Sequence, residues 1–304
     1  MMSAKPRIGY IGVGLMGHGA ARSILEKGGY PLTIMGHRKR GPVDDLVRRG
    51  AREARTPAEV AAASDVVFLC LPSAVEVEAV IYGADGLLEA MRPGMTLVDS
   101  TTCDPNMTRK VGAELAARGC AMIDAALGRT PKEAEEGRLS TYVGGEPAVI
   151  EQVRPILKTY ADTIVVCGPL GAGTTAKLVN NCISIGTCAV IAEAFATAAA
   201  LGVDLARLTE VIEAGGANGR MFQMMKPWIT EGDDSHLKGP LRIAWKDMRF
   251  YNQMAEGAPA PAVIASAVSQ VYRLANLQGH GERFMPTLPG ILAAWAGAKI
   301  HELD

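Results

Sequence analysis

Lys177, Asn180, Asn181 and Ser184 fall at i, i+3, i+4 and i+7, a spacing that places four side chains on one face of an α-helix. The surrounding stretch, residues 174–201, is rich in Ala, Ile, Val and Cys. A polar strip on so apolar a helix needs a reason, because an ammonium group is expensive to bury without a partner. A substrate pocket supplies one. Lys177 would give a proton to the carbonyl oxygen during reduction and take it back during oxidation. Asn181 would hold that oxygen or position the lysine, and Asn180 and Ser184 would bind polar groups of the substrate. The competing reading is structural: a lysine that snorkels to solvent, with the asparagines at a joint between helices.

A second constellation lies near the N-terminus. Gly12, Gly14 and Gly17 form G-x-G-x-x-G, with Leu15 and Met16 between the last two. An apolar strand pattern precedes them and a helical pattern follows. In that context the first glycine permits a tight turn, the second lets the backbone approach a pyrophosphate, and the third lets helix and strand pack closely. The free N–H groups of the helix N-terminus then favour phosphate. A tight strand-to-helix turn without a ligand is the plain alternative. The residues after the second strand should choose the cofactor. An acid there would bond the ribose hydroxyls of NAD. The chain instead reads Met35-Gly36-His37-Arg38-Lys39-Arg40. Arg38, with His37 and Lys39 beside it and Arg40 in support, suits a 2′-phosphate, so NADP(H) is expected over NAD(H), which stays possible. A solvated basic turn is the alternative. Further cofactor contacts are expected from Leu71 and Pro72 after the third strand, and from Thr101 and Thr102 after the fourth.

The elements that must position these residues alternate in the first half. Strands are expected at 7–11, 32–35, 66–71, 96–99, 122–125 and 164–167, with helices between, including 17–27 and 43–49. Such alternation means βαβ units and a mostly parallel, doubly wound sheet. Beyond residue 168 strand patterns fade. Helices are expected at 174–201, 205–214, 221–228, 241–256, 262–276 and 288–300. The chain therefore reads as an α/β N-terminal domain, residues 1–168, and an all-α domain, residues 169–304.

Composition narrows the function classes. Lys and Arg number 31 against 32 Asp and Glu, a formal charge of −1, and aromatics are 5%. Neither favours nucleic acid. The longest apolar-rich stretch, Cys188 to Val203, is broken by Glu193, so no membrane span is expected. With no signal-peptide pattern at residues 1–10, the expected location is cytoplasmic. Six cysteines without a CxxC pair, and scattered histidines, give no expected metal site. His18 is expected to pack rather than to catalyse.

The motifs together resemble the β-hydroxyacid dehydrogenase family. Gly12-Val-Gly-Leu-Met-Gly17 is similar to its N-terminal motif, and Gly171-Ala-Gly173-x-x-x-Lys177-x-x-x-Asn181 to its catalytic motif. Asp124-Ala-Ala-Leu-Gly-Arg-Thr130 resembles its substrate loop and Lys246-Asp247 its late KDL motif. The resemblance implies a Rossmann domain, a long interdomain helix, an all-α domain and a homodimer or homotetramer. It implies catalytic roles for Lys177 and Asn181, substrate contacts from Gly128, Arg129 and Thr130, and a cofactor or active-site contact from Lys246, oriented by Asp247. The Gly128-Arg129-Thr130 loop departs from the usual Ser-Gly-Gly and resembles the sulfolactaldehyde reductase branch, as do Asn180, Asn181 and Ser184. There the loop arginine is implicated in gripping a sulfonate. At a strand end beside the ligand crevice, Arg129 suits a carboxylate equally. An ion pair with Glu133, Glu135 or Glu136 is its plain alternative, and Arg242 is expected to be solvated or at an interface. The expected activity is NADP(H)-dependent interconversion of a small anionic aldehyde or keto acid and its hydroxy acid. The alternatives are an NAD-dependent 3-hydroxyisobutyrate-type dehydrogenase and a non-catalytic dinucleotide-binding protein.

Overall fold

The computed structural model describes residues 5–36 and 39–302. The first unit opens with β1 (Ile8–Ile11), α1 (Gly17–Glu26), β2 (Leu32–Met35) and α2 (Arg40–Arg48). β3 (Arg52–Ala54), α3 (Pro57–Ala62), β4 (Val66–Leu69), α4 (Ala74–Tyr82), α5 (Leu87–Ala90) and β5 (Thr96–Asp99) follow. Next come α6 (Pro105–Ala116), β6 (Ala121–Gly128), α7 (Pro131–Glu136), β7 (Leu139–Gly144), α8 (Pro147–Tyr160) and β8 (Ala161–Gly168). Among the described residues the strands form one sheet in the order β3-β2-β1-β4-β5-β6-β7-β8. Pairing is parallel except between β6 and β7. The strand order reverses between β1 and β4, the position where doubly wound folds open a crevice for a ligand.

The inner strands are apolar because both faces are covered. On one side Tyr10, Ile34, Phe68 and Tyr160 pack with α1, α2 and α8. On the other, Ile11, Val67, Leu69 and Leu97 pack with residues of α3–α6. β3 and β7 were not expected. Arg-Glu-Ala of β3 carries no apolar run, and its pairing with β2 makes it a strand. Leu139–Gly144 lies between β6 and β8, so partners distant in sequence decide its conformation.

Helix α9 (Ala172–Ala200) follows, then α10 (Leu205–Glu213), α11 (Arg220–Glu231), α12 (Leu241–Glu256), α13 (Val263–Ala275) and α14 (Leu288–Trp295). The chain divides into compact units at Met1–Lys177 and Leu178–Asp304, inside α9 rather than before it. The second unit buries Ile185, Cys188, Ala192 and Phe195 of α9 against Phe222, Met225, Met248 and Tyr272. By length and hydropathy α9 does satisfy the test for a membrane span, contrary to the expectation from uninterrupted apolar runs. Ile185, Cys188, Ala192 and Phe195 of this helix are buried, whereas Val179, Ile183 and Val190 are exposed.

Candidate active site

Each glycine of the first loop has a separate geometric duty. Gly12 has φ +102°, and a Cβ there would lie 2.1 Å from the Cys70 carbonyl oxygen. A Cβ at Gly17 would lie 2.0 Å from the Gly12 carbonyl oxygen. A Cβ at Gly14 would meet nothing within 4 Å, so this backbone borders open space. Leu15 is exposed and Met16 half-buried. No side chain caps α1, and its first turn holds no acid. The His18 N–H donates to the Gly14 carbonyl (2.9 Å), so the other N–H groups of the first turn and its partial positive charge are what a phosphate would meet, and the residues present fit a dinucleotide. His18 joins three helices through Asp45 (3.0 Å) and Glu135 (2.8 Å).

At the end of β2, His37 and Arg38 lie outside the described residues. Lys39 is exposed. Arg40 is held by both oxygens of Glu53, at 2.7 and 3.0 Å, and by Asp44 at 2.8 Å. Its charge is therefore balanced inside the protein. A Cβ at Gly36 would lie 2.1 Å from Glu53 Oε1, so β3 brings an acid to the position where β2 has none.

The loops after β4 and β5 are tied together. The Leu71 N–H donates to Thr101 Oγ1 (3.0 Å), and the Thr101 N–H to Asp99 Oδ1 (2.9 Å). Thr101 is buried and its hydroxyl already accepts a bond. Thr102 is half-buried and Pro72 exposed. Asp99 is buried beside Asp124 of the neighbouring strand. Burial, aided by the Asp124 charge, pushes its pKa up to about 6. A carboxyl with a raised folded pKa lends stability below its unfolded pKa and loses it as pH rises through the folded one. Wild-type stability should therefore fall by roughly 3 kcal/mol between about pH 4 and 6 through this group. Asp99→Asn keeps an oxygen for the Thr101 N–H and removes that loss. Urea unfolding at pH 4 to 8 should show a flatter profile and a more stable variant at pH 7. Parallel profiles would mean that Asp99 does not titrate there.

At the end of β6, Gly128 is buried against Ser140 and Tyr142, and a Cβ on it would lie 2.4 Å from Ser140 Oγ. Arg129 follows with φ +73°, unusual for a long L side chain. Its guanidinium donates to Asp162 Oδ2 (2.8 Å), Thr163 Oγ1 (3.1 Å) and the Arg138 carbonyl. None of the three expected glutamates holds it. Glu133 forms the capping box of α7 with Thr130, Glu135 binds His18 and Arg22, and Glu136 binds Arg138. The Thr130 hydroxyl is thus engaged in capping.

Asp124 anchors α9. Its Oδ1 accepts from the Gly171 N–H (2.7 Å) and its Oδ2 from the Thr174 N–H (2.6 Å). A fully buried carboxylate takes the free donors at the start of the helix and opposes its positive end. Burial raises its pKa and these bonds oppose the rise. Lys177, half-buried, lies on the next turn. One turn further, the buried Asn181 amide donates to Asp247 Oδ2 (2.7 Å), and Lys246 Nζ lies 3.1 Å from Asp247 Oδ1. Asp247 therefore orients Asn181 as well as Lys246. Asn180 is exposed, and the Ser184 hydroxyl donates to the Asn180 and Asn181 carbonyls. Arg242 pairs with Glu282 at 2.6 Å on the surface. Roles for Asp99, Glu53 and Asp162 were not anticipated. For Asp99 the signal was present, an acid closing the apolar strand Thr-Leu-Val-Asp.

The glycine turn at the switch point and the uncapped helix after it define a dinucleotide-binding domain, and the matches below make the chain an NAD(P)-dependent oxidoreductase. The chain belongs to the β-hydroxyacid dehydrogenase family. Residues 7–168 match the NAD binding domain of 6-phosphogluconate dehydrogenase, and residues 171–286 match the NAD-binding region of NADP-dependent 3-hydroxyisobutyrate dehydrogenase. It is 29% identical to 2-(hydroxymethyl)glutarate dehydrogenase of Eubacterium barkeri, covering 98% of this chain and 99% of the relative. It is 30% identical to the NAD-dependent L-serine dehydrogenase of Pseudomonas aeruginosa, covering 91% and 94%. The solved Mycobacterium tuberculosis 3-hydroxyisobutyrate dehydrogenase with L-serine superposes with a TM-score of 0.83 at 25% identity, covering 95% of this chain and 99% of that one.

Proposed function

We propose that this oxidoreductase uses NADP(H) to interconvert a small aldehyde or keto acid carrying an anionic tail and its hydroxy acid. The observation that carries the reading is the polar face of α9: Lys177 one turn before an asparagine whose amide is fixed by a buried aspartate. Bound cofactor supplies or accepts the hydride. Lys177 delivers a proton from Nζ to the carbonyl oxygen as the alcohol forms, and regains one from solvent. Asn181, held by Asp247, keeps that oxygen in place. Arg129 receives the carboxylate or sulfonate tail, and Asn180 adds a polar contact. Gly12, Gly14 and Gly17, with the N-terminus of α1, hold the pyrophosphate; Lys39, with Arg38, supports the 2′-phosphate. One observation favours a second reading, NAD(H) use in the manner of a 3-hydroxyisobutyrate-type enzyme: the Glu53 carboxylate reaches the end of β2.

The test is nicotinamide absorbance with NADPH, repeated with NADH, against sulfolactaldehyde, succinic semialdehyde, tartronate semialdehyde, glyoxylate and methylmalonate semialdehyde. The expected result is one preferred aldehyde, with kcat/KM about tenfold or more higher for NADPH. Equal efficiencies with both cofactors would remove the 2′-phosphate argument. Cofactor binding without turnover of any aldehyde would favour a non-catalytic binding protein.

A further inference from the structure

We infer that Asp162 and Thr163, at the start of β8, are positioning residues that hold Arg129 as a preformed fork for an oxyanion. The inference rests on the reading of Arg129 as the tail-binding group and adds the residues that make it selective.

A free arginine on a loop tip samples many rotamers, and ordering it on binding weakens affinity. Arg129 is already ordered. Nη1 donates to Asp162 Oδ2 (2.8 Å) and to the Arg138 carbonyl; Nη2 donates to Thr163 Oγ1 (3.1 Å). Thr163 in turn donates to Asp162 Oδ1 (2.8 Å), so the two acceptors form one braced unit. Both Nη1–H groups and one Nη2–H are therefore used. Among the described residues the Nε–H and the second Nη2–H have no acceptor. Nε and one terminal nitrogen form a lateral edge of the guanidinium, the geometry that takes a carboxylate or sulfonate with two parallel bonds. The side chain keeps 31% of its exposure, so it is not sealed off from solvent.

Two further features fit a held fork. The backbone of Arg129 lies in the left-handed region, at a cost of about 1–2 kcal/mol for an L residue. A residue kept there against strain points to a task for its side chain. The nearby Glu133, a rival acceptor, is engaged by Thr130. Asp162 takes away net positive charge but fixes direction, so the fork selects an anion by shape as well as by sign.

The test measures kcat and KM with whichever charged aldehyde of the panel is turned over fastest, and with butanal as an uncharged probe. Arg129→Ala should raise KM for the charged aldehyde at least about tenfold more than it raises KM for butanal. Asp162→Ala should raise that KM about tenfold, the scale of a misplaced binding group, with kcat unchanged. Thr163→Val, which alters no charge, should raise it about threefold by the same misplacement. Asp162→Asn keeps an acceptor for Nη1 and should restore a KM at or below that of the wild type. If Arg129→Ala leaves KM unchanged, or if no aldehyde of the panel is turned over, the tail-binding reading fails and the inference with it. If Arg129→Ala raises KM but Asp162→Ala leaves it unchanged or lowers it, only the positioning role fails. In that case Asp162 is a bystander or a competitor for the fork.

Discussion

Lys177→Ala lowers turnover about a thousandfold in both directions while NADPH affinity, followed by its fluorescence, stays within about twofold. General acid–base groups contribute roughly 10²–10⁴ in rate, and on this reading α9 supplies no second proton donor of comparable reach. Asn181 donates to Asp247 and Ser184 donates to the backbone, so neither is poised to replace a lysine. Lys177→Arg sharpens the test. It keeps the positive charge and most of the length, but a guanidinium does not give up its proton near neutral pH. If Lys177 works as an acid, the arginine variant is also inactive. If Lys177 only steadies negative charge on the oxygen, the arginine variant retains much of its rate. Alanine and arginine variants that both turn over normally would end the assignment.

Asp124→Ala should destabilise the protein by about 3 kcal/mol and reduce kcat in the fraction that remains folded. The carboxylate is the acceptor for two N–H groups at the start of α9. Buried donors left without partners cost about 1–3 kcal/mol each, offset in part by relief of burying a charge beside Asp99. Gly144 and Gly173 close on this carboxylate, at 2.5 and 2.9 Å from where their Cβ atoms would be, so the space is not readily refilled. Lys177 lies one turn beyond the anchored donors, so a shifted helix start moves its Nζ. Asp124→Asn should lose about 2 kcal/mol, because its amide sets a donor against one of the two N–H groups. Urea unfolding measures the stability, and kcat is measured where each variant is fully folded. Unchanged midpoints for both variants would show that the helix start does not depend on this contact.

The legible parts of this protein are those whose causes lie close together in sequence. The glycine turn needs only a strand, three glycines and a helix within about one βαβ unit. The α9 face needs only helical spacing. β2 and β5 have the bounds their apolar runs predict. β3 and β7 lacked such a local cause.

Sequence alone determined the alternation of strands and helices, the phosphate-binding turn and the lysine–asparagine face, because each follows from local backbone geometry and side-chain periodicity. Tertiary structure decided which acid meets which base. Arg129 pairs with Asp162, 33 residues away, since its sequence neighbours are already bound to Thr130, His18 and Arg138. Arg40 is neutralised by Glu53 because β2 and β3 pair side by side. Asp124 becomes a helix anchor because β6 delivers it, buried, to the donors of α9. Charge pairing depends on distance in space, and only the folded sheet sets those distances.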